Sequence, residues 1–95
     1  MRLYTDEIVN AVCLNQADRR GVKPTDVEVQ LAWDEDTGYT AEIWVSGRSQ
    51  YLVEANLLEA IEQYVFKQYG KRVFRSQIRL DLDEEAEEFV AEIAE

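Results

Sequence analysis

The sequence predicts a two-layer α+β fold in the order helix, three-strand meander, helix, β-hairpin (αβββαββ), with both helices on one face of an antiparallel sheet. Three observations predict it. Residues 27–53 alternate apolar and polar side chains between turn-forming residues, helical periodicity flanks that stretch, and alternation returns near position 80. Because the chain has 95 residues, 46% of them apolar, we expect a single domain, residues 1–95, around one core.

The first helix is predicted from about Asp6 to Arg20. Thr5 is placed to cap it, and Gly21 offers the left-handed conformation that ends a helix. Apolar residues recur between them at helical spacing: Ile8, Val9, Val12 and Cys13. This stripe is expected to face the sheet, with Cys13 as a small buried hydrophobe rather than a reactive thiol.

The meander is predicted from two long alternating runs and a third short one. Pairing Val27 with Val45 and Trp33 with Tyr39 puts every apolar partner of the first hairpin on one face. A shift by one residue would bury Glu42, so the register is well specified.

The opposite face of the meander carries the candidate interaction residues Glu28, Glu42 and Trp44. If Gly47 and Arg48 form a two-residue turn, Trp44 lies directly across from Tyr51. Such an outer aromatic pair is either a contact surface or cross-strand packing beneath the end of the chain. The sequence leaves both alternatives open.

A second helix is predicted from about Leu57 to Tyr69, with Asn56 as its cap and Gly70 as its end. Alternation then predicts a fourth strand near residues 78–82 and a fifth near 89–93. An acidic helix starting at Glu84 is the competing interpretation, since Glu and Ala favour helices. Residues 83–95 thus remain open between strand, helix and disordered tail. No internal repeat is apparent.

The charge disfavours two classes of partner, and a residual RNA-binding role would have to use the basic run Lys67–Arg79. Twenty acids and ten bases give a net charge of −10, which repels nucleic-acid phosphates and anionic lipids. The order helix, three strands, helix is that of double-stranded RNA-binding domains, but the positions where those domains carry lysines are residues 54–59, which contain none. We therefore expect neither nucleic acid nor a membrane as a partner.

The residue types also argue against an enzyme and a metal site. The chain has no histidine and one cysteine, and it carries no phosphate-binding loop. The acidic turn Asp34–Gly38 does not fit a calcium loop, because its glycine is fifth and position twelve is Val45. No catalytic, cofactor-binding or metal-binding residue is expected. The unpaired cysteine and the lack of a secretory signal or apolar span predict a cytoplasmic location.

Several segments resemble a known family. They include Ile8–Leu14, Val27–Val29, Val45–Arg48, Glu54–Ile61 and Leu80–Asp83. Together they resemble the YxcD-like family of small acidic proteins from spore-forming bacteria, a domain of unknown function. The resemblance implies a cytoplasmic bacterial protein of about this size. It implies no mechanism and transfers no functional residue.

The sequence therefore favours a non-enzymatic protein-interaction or regulatory domain. Its predicted surface comprises Trp44, Tyr51, Glu28 and Glu42, and its partner is an unknown protein or a second copy in a homodimer. The alternative is a small-molecule or cation-binding protein that uses the acidic turn and the acidic end of the chain. Calcium-dependent stabilisation would distinguish that alternative from the first hypothesis.

Overall fold

The computed structural model describes residues 1–94, and its elements confirm the predicted α+β class. Two helices and six strands follow in chain order: β1 (Arg2–Tyr4), α1 (Thr5–Arg20), β2 (Val27–Asp34), β3 (Gly38–Val45), β4 (Arg48–Leu52), α2 (Glu54–Tyr69), β5 (Ile78–Asp83) and β6 (Glu88–Ile93). Short 3-10 turns precede β2 and β5. Residues Glu88–Ile93 therefore form strand β6, and the competing interpretation of an acidic helix that starts at Glu84 is wrong.

The strands form two antiparallel sheets where the sequence predicted one. The meander has the order β2-β3-β4, and its predicted pairings of Val27 with Val45 and Trp33 with Tyr39 are confirmed. The second sheet has the order β1-β6-β5. Strand β1, which the sequence analysis missed, pairs with β6 and places Leu3 opposite Ala91. The C-terminal hairpin therefore forms a sheet with β1 instead of extending the meander.

Both helices start slightly earlier than predicted, and the expected capping residues have other roles. Thr5 is the first residue of α1, and its hydroxyl accepts a hydrogen bond from the Phe89 backbone N–H at 2.8 Å. Asn56 lies inside the first turn of α2, and its side-chain oxygen accepts the Val53 backbone N–H at 3.0 Å. Thr5 thus ties the start of α1 to β6, and Asn56 closes the turn that leads from β4 into α2.

The fold consists of two similar halves, which the sequence analysis did not detect. Each half has the order strand, helix, strand, strand: β1-α1-β2-β3 and β4-α2-β5-β6. The halves exchange their first strands, since β1 pairs with β6 and β4 pairs with β3. Both helices have 16 residues and end at a left-handed glycine, Gly21 or Gly70.

Buried positions also match between the halves. Counted back from the two glycines, the helices and the preceding strands align five pairs of buried residues: Leu3 with Leu52, Ile8 with Leu57, Ala11 with Ala60, Val12 with Ile61, and Gln16 with Val65. Four of the pairs are apolar in both halves. Few of the aligned residues are identical, so the repeat lies in size and burial rather than in residue identity.

The main core lies between the helices and the inner sheet faces, and both halves contribute to it. Its largest fully buried side chains are Leu3, Ile8, Ile43, Leu57, Ile61, Val12 and Val65. Tyr39 packs edge-to-face on Phe89 with a centroid distance of 6.4 Å, which joins the meander to the second sheet. Cys13 is only partly buried, and its thiol donates to the Val27 carbonyl at 3.6 Å. Burial raises the pKa of this thiol, as expected for a packing residue.

Candidate functional site

The outer face of the meander brings the four predicted interaction residues together. Directly opposite residues on neighbouring strands point to the same face of a sheet, and this register sets two rows across the three strands. The rows are Glu28–Trp44–Ser49 and Gln30–Glu42–Tyr51. Each row therefore carries one carboxylate and one aromatic ring.

The turn between β3 and β4 differs from the prediction. Ser46 and Gly47 have φ angles of 52° and 77°, so they are the two central residues of the hairpin turn. Two positive φ angles in succession match the twist of the flanking strands, as in the type I′ turn. Strand β4 then begins at Arg48, which places Trp44 opposite Ser49. The predicted direct pair of Trp44 with Tyr51 is wrong, and the two rings are diagonal neighbours instead.

These four side chains have no polar or aromatic-ring partner within residues 1–94. The Tyr51 side chain is 68% exposed, whereas Trp44 is half-buried. Within residues 1–94, neither Glu28 nor Glu42 forms an ion pair or hydrogen bond, and neither ring packs on another aromatic ring. The face therefore presents two free carboxylates and two aromatic rings on a regular strand scaffold.

The acidic turn and the acidic end of the chain each contain a carboxylate that is used in a local turn. Asp34 accepts the Asp36 backbone N–H at 2.8 Å, and Asp83 accepts the Ala86 backbone N–H at 3.2 Å. Each acid thus closes its own turn. In the described part of the chain, no group of three or more acidic, cysteine or histidine side chains is arranged to hold a metal ion. The cation-binding alternative receives no support from this geometry, and position 95 lies outside the described residues.

A chain of polar side chains runs from α2 through α1 to β4, and the sequence analysis missed it. Asn15 donates to Gln63 at 2.8 Å, and Gln16 donates to Asn15 at 3.0 Å. The Arg20 Nε–H donates to Gln16 at 3.2 Å, and the same guanidinium donates to Gln50. Asn15 and Gln16 are buried polar residues on α1. The only signal in the sequence was that these two amides interrupt the apolar stripe of the first helix.

A second polar cluster joins the opposite ends of the helices. Glu7 on α1 accepts hydrogen bonds from the hydroxyls of Tyr64, at 3.1 Å, and Tyr69 on α2. The hydrogen bond to Glu7 raises the pKa of Tyr69 to about 12, because an ionised phenol would lose that bond and face the carboxylate. The two tyrosine rings also pack edge-to-face, with centroids 6.2 Å apart.

The Glu7 cluster predicts a specific pH dependence. Because the pKa of Tyr69 is higher in the folded state than its usual value of 10.0, its stabilising effect is complete below pH 10 and is lost as the pH rises toward 12. Glu7→Gln is expected to lower the pKa of Tyr69 toward the usual value, as measured by phenolate absorbance in the folded protein. Asp6→Asn removes the same charge one residue away and is expected to leave this titration unchanged. Equal shifts in both variants would show a general charge effect instead of the hydrogen bond.

Both helices in residues 1–94 fall short of the length and apolar character that a membrane crossing requires. A family model described as a protein of unknown function (DUF2653) matches residues 1–85. The search of curated proteins and the search of solved structures each found no match. The matched residues include both helices, strands β1 to β5 and the whole outer face of the meander.

Proposed function

The chain belongs to the DUF2653 family of proteins of unknown function, and from that premise we propose that it is a non-enzymatic protein-interaction or regulatory domain. Its docking surface is the outer face of the meander, formed by Trp44, Tyr51, Glu28 and Glu42. The observation that carries this proposal is the alternation, on one regular face, of aromatic rings and of carboxylates that have no partner within residues 1–94. The partner it fits is a protein segment rich in lysine or arginine.

Charge complementarity selects such a partner. Glu28 and Glu42 are the charged residues of the two rows that cross the three strands. Since neither row contains a lysine or an arginine, no side chain of these rows repels a basic segment. The net charge of −10 adds long-range attraction for a cationic partner and speeds its encounter. The same field disfavours nucleic acid and anionic membranes, which we leave out of the proposed partners.

The aromatic rings add recognition at short range. Lysine and arginine bind over the faces of tryptophan and tyrosine, with a gain of about 0.5–2 kcal/mol per contact that depends on desolvation. Tyr51 lies opposite Glu42, and Trp44 lies opposite Glu28, so a ring and a carboxylate can hold one cationic side chain together. Tryptophan and tyrosine are also common among the residues that dominate interface energies.

Self-association through this face is the weaker form of the proposal. A two-fold axis would bring the face against its own copy, and the carboxylates of Glu28 and Glu42 would then face like charges. That repulsion opposes a symmetric dimer at neutral pH. Sedimentation of the purified protein tests this form of the proposal, because a homodimer would sediment faster than the single chain.

We expect Tyr51→Ala and Trp44→Ala each to weaken binding of the basic partner about tenfold or more, while the fold is retained. Tyr51 is the sharper test, because its exposed side chain contributes little to packing. The measurement is affinity capture from the host lysate at low and high salt, followed by titration of the purified partner. Phe74→Ala removes an exposed aromatic ring outside the meander and serves as the matched control. A partner that binds all three variants equally, or one that is acidic, would contradict the proposal.

The proposal also covers the origin and the cellular location of the protein. The resemblance to the YxcD-like proteins of spore-forming bacteria supports a bacterial origin and a cytoplasmic location. The single cysteine, Cys13, is compatible with a reducing compartment, because no internal disulfide can form. Circular dichroism of the purified protein under reducing and oxidising conditions is expected to be the same.

A further inference from the structure

A groove of about 250 Å³ lies at the C-terminal end of α1, on the helix side of the β3–β4 hairpin. Its floor consists of the buried side chains of Ile43 and Val45. Arg48 and Gln50 lie opposite these two residues on β4, and Arg20 approaches from the helix. The groove is thus apolar at the bottom and polar at the rim. Ile43, Val45, Arg48 and Gln50 belong to the inner face of the meander, and the groove shares only Ser49 with the outer face.

The rim of this groove carries positive charge in a strongly acidic protein. Arg20 and Arg48 both line it, and none of its lining residues is an acid. Arg48 forms no hydrogen bond or ion pair within residues 1–94. A guanidinium has five N–H donors in a planar fork, so the donors of Arg48 are available to an oxyanion.

The second guanidinium is held in place by neutral groups. Gln16 accepts the Arg20 Nε–H at 3.2 Å, and Gln50 accepts a second donor of Arg20. Gln16 is only 4% exposed, and Asn15 holds it in turn through a hydrogen bond of 3.0 Å. Because these partners are amides rather than carboxylates, they orient Arg20, and no carboxylate within residues 1–94 pairs with its positive charge.

The second half of the fold provides an internal control for this arrangement. The positions that match Asn15, Gln16 and Arg20 are Tyr64, Val65 and Tyr69. Val65 is 0% exposed, so an apolar side chain closes the same helix–sheet junction where the first half buries an amide. The architecture therefore does not require polar residues at this point. Their presence in the first half alone indicates a role beyond packing.

We propose that this groove binds a small organic carboxylate. A carboxylate accepts two parallel hydrogen bonds from a guanidinium, which Arg48 can supply, and Arg20 adds a second positive charge. The apolar floor of Ile43 and Val45 suits a short hydrocarbon body. A singly charged ligand is favoured over a phosphate because the net charge of −10 repels a dianion more strongly. The negative end of the α1 dipole opposes the ligand, but its effect is smaller than that of a paired guanidinium.

The test is a titration of the isotope-labelled protein with isovalerate, followed by two-dimensional amide NMR. We expect saturable shifts at residues 48–50 with isovalerate and none with isovaleramide, its neutral counterpart. Arg48→Gln is expected to weaken binding about tenfold or more, which corresponds to one lost charge-assisted interaction. Arg79→Gln removes the same charge from an exposed strand position in the other sheet, and it is expected to change the affinity by less than about twofold.

Each remaining outcome would overturn the proposal. Isovalerate without a saturable effect, or an equal response to isovaleramide, would exclude a carboxylate site. Unchanged binding in Arg48→Gln would place the ligand elsewhere. Tighter binding of inorganic phosphate would reject the carboxylate class. Because Arg48 is exposed and has no partner within residues 1–94, its substitution is expected to leave the amide spectrum of the free protein otherwise intact. A loss of binding then cannot be ascribed to unfolding.

Discussion

Leu3→Ala is expected to lower the free energy of unfolding by about 2–5 kcal/mol, the usual cost of truncating a fully buried leucine. Leu3 is 1% exposed and is one of the largest fully buried side chains of the core. It lies on β1, opposite Ala91 of β6, so it packs the first half of the fold against the second. A domain of this size has a total stability of about 5–14 kcal/mol, and the variant is therefore expected to lose a large part of it.

Urea denaturation followed by circular dichroism measures this loss. Leu14→Ala makes the same chemical change at an exposed position of α1, and its expected cost is less than about 1 kcal/mol. If Leu3→Ala were as stable as Leu14→Ala, β1 would not pack as described, and the second sheet would be only the β5–β6 hairpin. Amide hydrogen exchange in β6 is an independent check, because Tyr4 and Val90 are paired across the two strands.

Val65→Gln is expected to destabilise the protein by about 3 kcal/mol, although glutamine occupies the matching position of the first half. Val65 is fully buried on α2, and an amide there would lose its hydrogen bonds to water without a partner in the surrounding core. In the first half, Gln16 makes hydrogen bonds to Asn15 and Arg20. The second half has tyrosines at the positions that match these two partners, Tyr64 and Tyr69.

Val53→Gln is the matched control for this substitution. Val53 is exposed, so the same change there is expected to alter the stability by less than about 0.5 kcal/mol. Thermal unfolding of the two variants beside the unchanged protein gives the comparison. Equal stability of Val65→Gln and Val53→Gln would mean that the second half accommodates a buried amide as well as the first. Packing alone would then account for Gln16.

The candidate interaction face was predictable to a large extent because strand alternation is local. Glu28, Glu42 and Trp44 occupy the outward positions that the alternation of β2 and β3 assigns to them. The turn was not predictable in the same way. Whether β4 begins one residue earlier or later depends on the backbone conformation of Ser46, whose positive φ is unusual for a residue other than glycine. That single residue decides which side chain faces Trp44.

By itself, the sequence determined the α+β class, both helices, the meander and the register of its first hairpin, because each follows from periodicity within a few turns or strands. Only the tertiary structure decided what depends on distant partners. Strand β1 has three residues, too few for a pattern, and it exists because β6 pairs with it from the other end of the chain. The two halves share burial and shape with few identical residues, so their similarity emerges only in space. The same holds for the groove, since Arg20 and Arg48 come together only when the C-terminal end of α1 reaches β4 through the hydrogen bond from Arg20 to Gln50.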